Sequence, residues 1–180
     1  MATKHLITVD EFARMQTADD EAYELVDGEL IRLPSATPLH AEIRGRLEYR
    51  IRSYFDRHPI GGAIAETDCR VIGEVVRRPD LSIFLAERWQ KLDLNAVPVA
   101  GAPDIAVEVY SPSEPASDVT RKAREYLQSG SQEVWLLDSE NLELQVRTKA
   151  GIRVLDAGDA LATPLLPGFS AGVSSLLAGR

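Results

Sequence analysis

Two stretches decide how this chain folds: RRPDLSIFL, residues 77–85, and PDIAVEVYSPSE, residues 103–114. Each holds a short run rich in Ile, Val, Leu and Phe that opens behind a proline, the pattern of a buried or half-buried strand. Successive side chains of a strand point to opposite faces. In the first run Leu81, Ile83 and Leu85 share one face, and Asp80, Ser82 and Phe84 the other. In the second, Ile105, Val107 and Val109 stand opposite Asp104, Ala106, Glu108 and Tyr110. Each strand thus has one wholly apolar face and one face bearing an acid. If the strands are neighbours, Asp80 and Glu108 share a face of one sheet, where two carboxylates repel unless a proton or a cation sits between them. Mg2+ suits such a pair, because hard cations prefer oxygen ligands.

The segment that follows supplies a third group. Residues 118–130 read as a helix, and VWLLD, residues 134–138, as the next strand. At about 100° per residue, Val119, Ala123, Tyr126 and Leu127 form the buried stripe of the helix, while Arg121, Arg124, Glu125 and Gln128 point away. Lys122 falls at the edge of that stripe and is the charged residue best placed to reach over the sheet. An ammonium group there can orient a water nucleophile or steady charge growing on a phosphate. Plainer readings exist for all three residues. Asp80 can simply open a strand after Pro79, Glu108 can pair with an arginine, and Lys122 can pack its stem and keep its head in water.

Around this centre the chain reads as a series of short elements. Thr8 caps a short helix, with Glu11 three positions on. Residues 23–33 form a hairpin turning at Asp27 and Gly28, the strongest short-range hairpin signal a sequence offers. Ile43, Leu47, Ile51, Tyr54 and Phe55 recur at helical spacing, which predicts a helix over 38–57, closed by His58-Pro59 and by Gly61-Gly62. Strands are expected over 63–67 and 69–73, and residues 86–103, with Pro98, Gly101 and Pro103, read as a long irregular connection. Residues 142–147 and 152–155 look like a closing hairpin, and the apolar tail at 165–177 can pack back on the domain.

Composition bounds the partners. A chain of 180 residues and 19.8 kDa is expected to form a single domain over 1–180. With 44% hydrophobic and 27% charged residues it is an ordinary globular composition, with no run approaching the roughly 20 apolar residues of a membrane span. The N-terminus lacks the features of a secretory signal, so a cytoplasmic location is expected. Cys69, the only cysteine, excludes an intrachain disulfide and reads as a small core residue. The net charge of −8 lacks the basic excess of a general nucleic-acid binder. Any nucleic-acid contact must come from a local basic patch or bound cations. Arg44, Arg46, Arg50, Arg52 and Arg57 are the one dense candidate, and they read equally well as a solvated helix face.

The order of motifs carries a resemblance. The run YELVDGEL at 23–30, His40 opening a helix, RPDLS at 78–82, APDIAVEVYSPS at 102–113, then Lys122, Tyr126, Gly130, VWLLD and LPGF at 166–169 together resemble the Uma-type putative restriction endonuclease family of the PD-(D/E)XK nuclease superfamily, over nearly the whole chain. The resemblance implies an α/β (α+β) fold with a restriction-endonuclease-like core, a mixed central sheet flanked by helices, with hairpins at its N- and C-terminal ends. It implies catalytic roles for Asp80, Glu108 and Lys122, with Asp80 and Glu108 holding Mg2+ or Mn2+, and DNA in preference to RNA as substrate. The superfamily's usual lysine lies two residues past the second acid, where this chain has Tyr110. Lys122 matches members in which that lysine has moved to the following helix. Glu24 and His40 match accessory family positions, and His40 also reads as a cap or packing residue. The competing reading is a catalytically silent nuclease-fold interaction module, motivated by the net charge of −8 and the apolar tail at 165–177, with a stable homo-oligomer, for example a homodimer, or a partner interface.

Overall fold

The computed structural model describes residues 5–15, 21–110 and 114–179. The link at 111–113 and the C-terminal part of the expected opening segment, 16–20, lie outside the described residues. Helix α1, Val9–Ala13, begins where expected: the Thr8 side chain accepts from the Glu11 N–H and the Glu11 side chain returns to the Thr8 backbone. Strands β1, Tyr23–Val26, and β2, Glu29–Arg32, form the hairpin. Asp27 and Gly28 both have positive φ, 51° and 81°, as the right-handed twist of a two-residue turn demands.

Helix α2, Pro38–Arg57, has Pro38 in its first turn, and its Thr37 cap accepts from the His40 N–H. Its buried residues are the five that the spacing picks out. Next come β3, Gly61–Ala65, β4, Cys69–Arg70, β5, Val76–Arg77, and β6, Leu81–Leu85. The Gly61-Gly62 pair does not break the chain but opens β3, which thus begins two residues earlier than expected. Glycine is required there because a Cβ on Gly61 would meet the Phe84 carbonyl, and one on Gly62 the Trp89 ring.

The stretch after β6 is also more ordered than its Pro and Gly content predicts. It holds α3, Ala86–Lys91, and β7, Val99–Ala100. The remaining elements are β8, Ile105–Tyr110, α4, Ala116–Gln128, β9, Glu133–Asp138, β10, Glu143–Thr148, β11, Gly151–Leu155, β12, Ala160–Leu161, β13, Ala171–Gly172, and α5, Val173–Leu177.

The central sheet has six strands in the order β11-β10-β9-β8-β6-β3. It is mixed: β8 and β9 run parallel with α4 as their crossover, and the other neighbours are antiparallel. One face, with Leu81, Ile83, Ile105, Val107, Trp135 and Leu137, packs in one cluster with α2 and with the tail residues Leu166, Phe169, Leu176 and Leu177. The other face buries Ala106, Val134 and Leu136 against Val119, Ala123 and Tyr126 of α4. The parity expected for β6 and β8 is therefore observed, with the acid-bearing face of β8 turned toward α4. A second sheet, β2-β1-β5-β4-β7, carries the N-terminal hairpin. It joins the two-residue strand β5, which the sequence does not announce, to β1 through Leu25 and Val76.

Candidate active site

The β6–β8 register pairs Leu81 with Val107. Asp80 immediately precedes β6 and Glu108 immediately follows Val107, so both acids belong to the same end of the strand pair. Asp80 is held from two directions. Its Oδ2 accepts the Val109 N–H at 2.7 Å, and its Oδ1 accepts from His40 Nε2 at 2.7 Å. His40 thus combines two roles: its backbone satisfies the start of α2 and its ring fixes Asp80.

Glu108 is buried, and the Tyr126 hydroxyl of α4 donates to its Oε1 at 2.7 Å. Burial pushes its carboxyl up to about 8; Lys122 opposes this, Asp80 and Glu24 add to it, and Tyr126 works against it. Tyr126 is itself held well above its ordinary value by burial and by Glu108, so the hydroxyl stays protonated and donates. Two other acids on the sheet are quenched. Asp104 accepts from the Leu85 N–H, Arg88 and Gln132, and Glu133 from Trp135 and Thr163. Among the described residues Glu108 instead has a single side-chain donor, the Tyr126 hydroxyl, on Oε1.

Lys122 lies 3.2 Å from Glu114 Oε1 and 3.7 Å from Glu24 Oε1. Burial works against its charge, but Glu108, Glu24 and Glu114 outweigh burial and raise its pKa. These acids therefore favour its charged form. Glu24, 1% exposed, is the hub of a buried network. Its Oε2 accepts from Arg77 Nη1 at 2.7 Å, its Oε1 from the Arg78 N–H at 3.1 Å, and Arg77 Nε donates to Glu125 Oε2 at 2.6 Å. Glu125 therefore points inward, contrary to the helix-stripe expectation, because a buried guanidinium from β5 meets it. Lys122 and Glu125, three residues apart on α4, are thus both tied to the N-terminal sheet.

The sequence reading missed Arg77, Glu125 and the polar role of Tyr126. A signal was present in VVRRPD, where Arg77 follows directly on two valines. A charged side chain at such a place needs a buried acid as partner.

The donor set fits a small hard cation. Among the described residues no three His, Cys, Asp or Glu side chains gather as metal ligands. Two carboxylates are on offer, and Mg2+ is commonly held by one or two carboxylates while keeping several waters. Each Asp80 oxygen accepts a single hydrogen bond, which leaves lone pairs on both.

A mixed six-stranded sheet with α2 on one face and the crossover helix α4 on the other is a restriction-endonuclease-like α/β fold. The chain belongs to the Uma2 family, described as "putative restriction endonuclease", whose sequence model matches residues 9–175. A solved structure described as a "putative nuclease" from Anabaena variabilis ATCC 29413 has the same fold, with a TM-score of 0.81 and 24% identity over 96% of this chain and 98% of that one. No curated protein matches the chain. No helix among the described residues is long and apolar enough to cross a membrane.

Proposed function

We propose that the chain is a metal-dependent endonuclease that hydrolyses phosphodiester bonds in DNA, with Asp80 and Glu108 holding Mg2+ or Mn2+ and Lys122 acting on the phosphate. The reading is supported by one observation: the Asp80 carboxylate accepts from the N–H of Val109, the residue next to Glu108, at the end of the β6–β8 pair. Held by Asp80 and Glu108, Mg2+ would polarise a phosphoryl group and lower the pKa of a water so that it could give up a proton and attack. Lys122, whose charge its acidic neighbours favour, donates to the attacking water or to a phosphoryl oxygen and offsets charge in the transition state. His40 and Tyr126 hold the two carboxylates in place. Glu24 and Arg77 tie α4 to the N-terminal sheet through Lys122 and Glu125. Tyr110, where the superfamily's usual lysine stands, is half-buried beside the α4 core cluster and supplies no charge.

The apolar tail does not offer the surface that the interaction-module reading uses, since Leu166, Phe169, Leu176 and Leu177 are buried in the main core. Purified protein with Mg2+ or Mn2+ is expected to nick supercoiled plasmid. Asp80→Asn, Glu108→Gln and Lys122→Met should each lower the rate by a factor of a hundred or more, on the order of 3 kcal/mol in the barrier. Nicking that survives all three substitutions contradicts the proposal.

A further inference from the structure

Three of the five arginines on α2 are neutralised by acids. Arg44 pairs with Glu66, Arg46 with Glu42 at 3.2 Å and Arg52 with Glu48 at 2.8 Å. Among the described residues Arg50 and Arg57 have no carboxylate partner, and both line one cavity of about 360 Å³ between the second half of α2 and the tail turn at Gly168–Ser170. No Asp or Glu lines it. In a chain with a net charge of −8, this is a local concentration of positive charge.

The cavity is also built. Arg50 Nη2 donates to Ser175 Oγ at 3.2 Å, which draws it toward the tail. The His58 ring stacks on Tyr54 with centroids 4.5 Å apart, and its Nδ1 donates to the Tyr54 carbonyl at 3.1 Å. The Tyr54 hydroxyl in turn donates to the Pro167 carbonyl at 3.0 Å. Tyr49 stands at the rim, 73% exposed, as a free aromatic face.

We propose that this groove is a second nucleic-acid contact, in which Arg50 and Arg57 bind backbone phosphates of the strand whose cleavage is assigned above to Asp80 and Glu108. The inference rests on that nuclease reading. Guanidinium groups are suited to phosphate oxygens, which they meet with paired N–H donors. His40 and Arg57 are 17 residues apart on one helix, roughly 26 Å at 1.5 Å per residue. At about 3.4 Å per nucleotide, that is seven or eight nucleotides, so a polymer and not a mononucleotide can engage both ends. The groove also supplies the local basic patch that an acidic chain needs in order to hold DNA.

The test is binding of a labelled 20-base-pair duplex, followed by fluorescence anisotropy in EDTA over 50 to 300 mM KCl. For Arg50→Ala/Arg57→Ala the slope of log K against log salt should shrink by about 1.8, since each phosphate contact contributes about 0.9, with affinity near 100 mM falling at least tenfold. Arg50→Lys/Arg57→Lys should keep most of the slope, and Arg52→Ala, on the same helix but acid-paired, should change little. An unchanged slope in the alanine pair, an equal loss in Arg52→Ala, or no binding by the unmodified protein at 50 mM salt overturns the proposal. Binding that depends on Arg50 and Arg57 in a protein that nicks no DNA upholds the groove and overturns the nuclease reading instead.

Discussion

The Tyr126 hydroxyl donates to Glu108 Oε1 at 2.7 Å across the gap between α4 and the central sheet. A neutral donor stabilises the charged form of a buried carboxylate without cancelling its charge, so the bond orients Glu108 and keeps it available to a cation. Tyr126→Phe retains the ring's packing and removes the donor. Mn2+ affinity should fall about tenfold, within the range seen when a group supporting a metal ligand is lost. Titration calorimetry on the variant checks this, and unchanged affinity would show that the hydroxyl plays no part in holding Glu108.

The pH dependence of stability follows from Glu108. Its ordinary value of 4.5 rises to about 8 in the folded chain, with burial as the main cause. Between those limits the native protein keeps a proton that the unfolded chain gives up. The contribution is therefore fully present below about pH 4.5 and is lost as the pH rises through 8, at up to about 1.4 kcal/mol per pH unit. In EDTA, urea midpoints of the unmodified protein should decline more steeply over this window than those of Glu108→Gln. Added Mn2+ should displace the proton, so its apparent affinity should rise with pH and level off above about 8.

Arg77 is 1% exposed and lies between two acids. Arg77→Met fills the space but removes the buried cation that bridges Glu24 and Glu125. A destabilisation of about 3–5 kcal/mol is expected, the cost of breaking a buried ion pair from one side. The double variant Arg77→Met/Glu24→Gln should recover part of it, and chemical denaturation of the single and double variants measures both.

The tail belongs to the core, so its removal should act on stability rather than on assembly. Leu177 is fully buried in the cluster shared by α2 and the sheet. Leu177→Ala should cost about 2–5 kcal/mol in urea unfolding and leave the sedimentation coefficient of the folded protein unchanged. A change of oligomeric state without a loss of stability would favour an interface at the tail.

The sequence discloses those parts of the fold that depend on local periodicity. The bounds of α2, the Asp27-Gly28 hairpin and the opposed faces of β6 and β8 follow from spacing within each segment. The meeting of Asp80 and Glu108 does not, because parity sets the faces of each strand and only the pairing of β6 with β8 brings the two strands together. What it hides depends on partners distant in the chain. Arg77 becomes buried because β5 pairs with β1 some fifty residues earlier, and Glu125 turns inward because Arg77 is waiting there. Glu133 and Asp104 look much like Glu108 as acids on hydrophobic strands, and only their donors, drawn from Thr163, Arg88 and Gln132, set them apart. At residues 86–91 the prolines and glycine further along obscured a helix whose Trp89 covers Gly62.

The most direct measurement is a calorimetric titration of Mn2+ into the unmodified protein, Asp80→Asn and Glu108→Gln at pH 8. A site present in the first and lost in both variants, with the fold retained by circular dichroism, is the predicted result. Equal Mn2+ binding in all three proteins, or none in any, would contradict the assignment of Asp80 and Glu108 as a joint cation site.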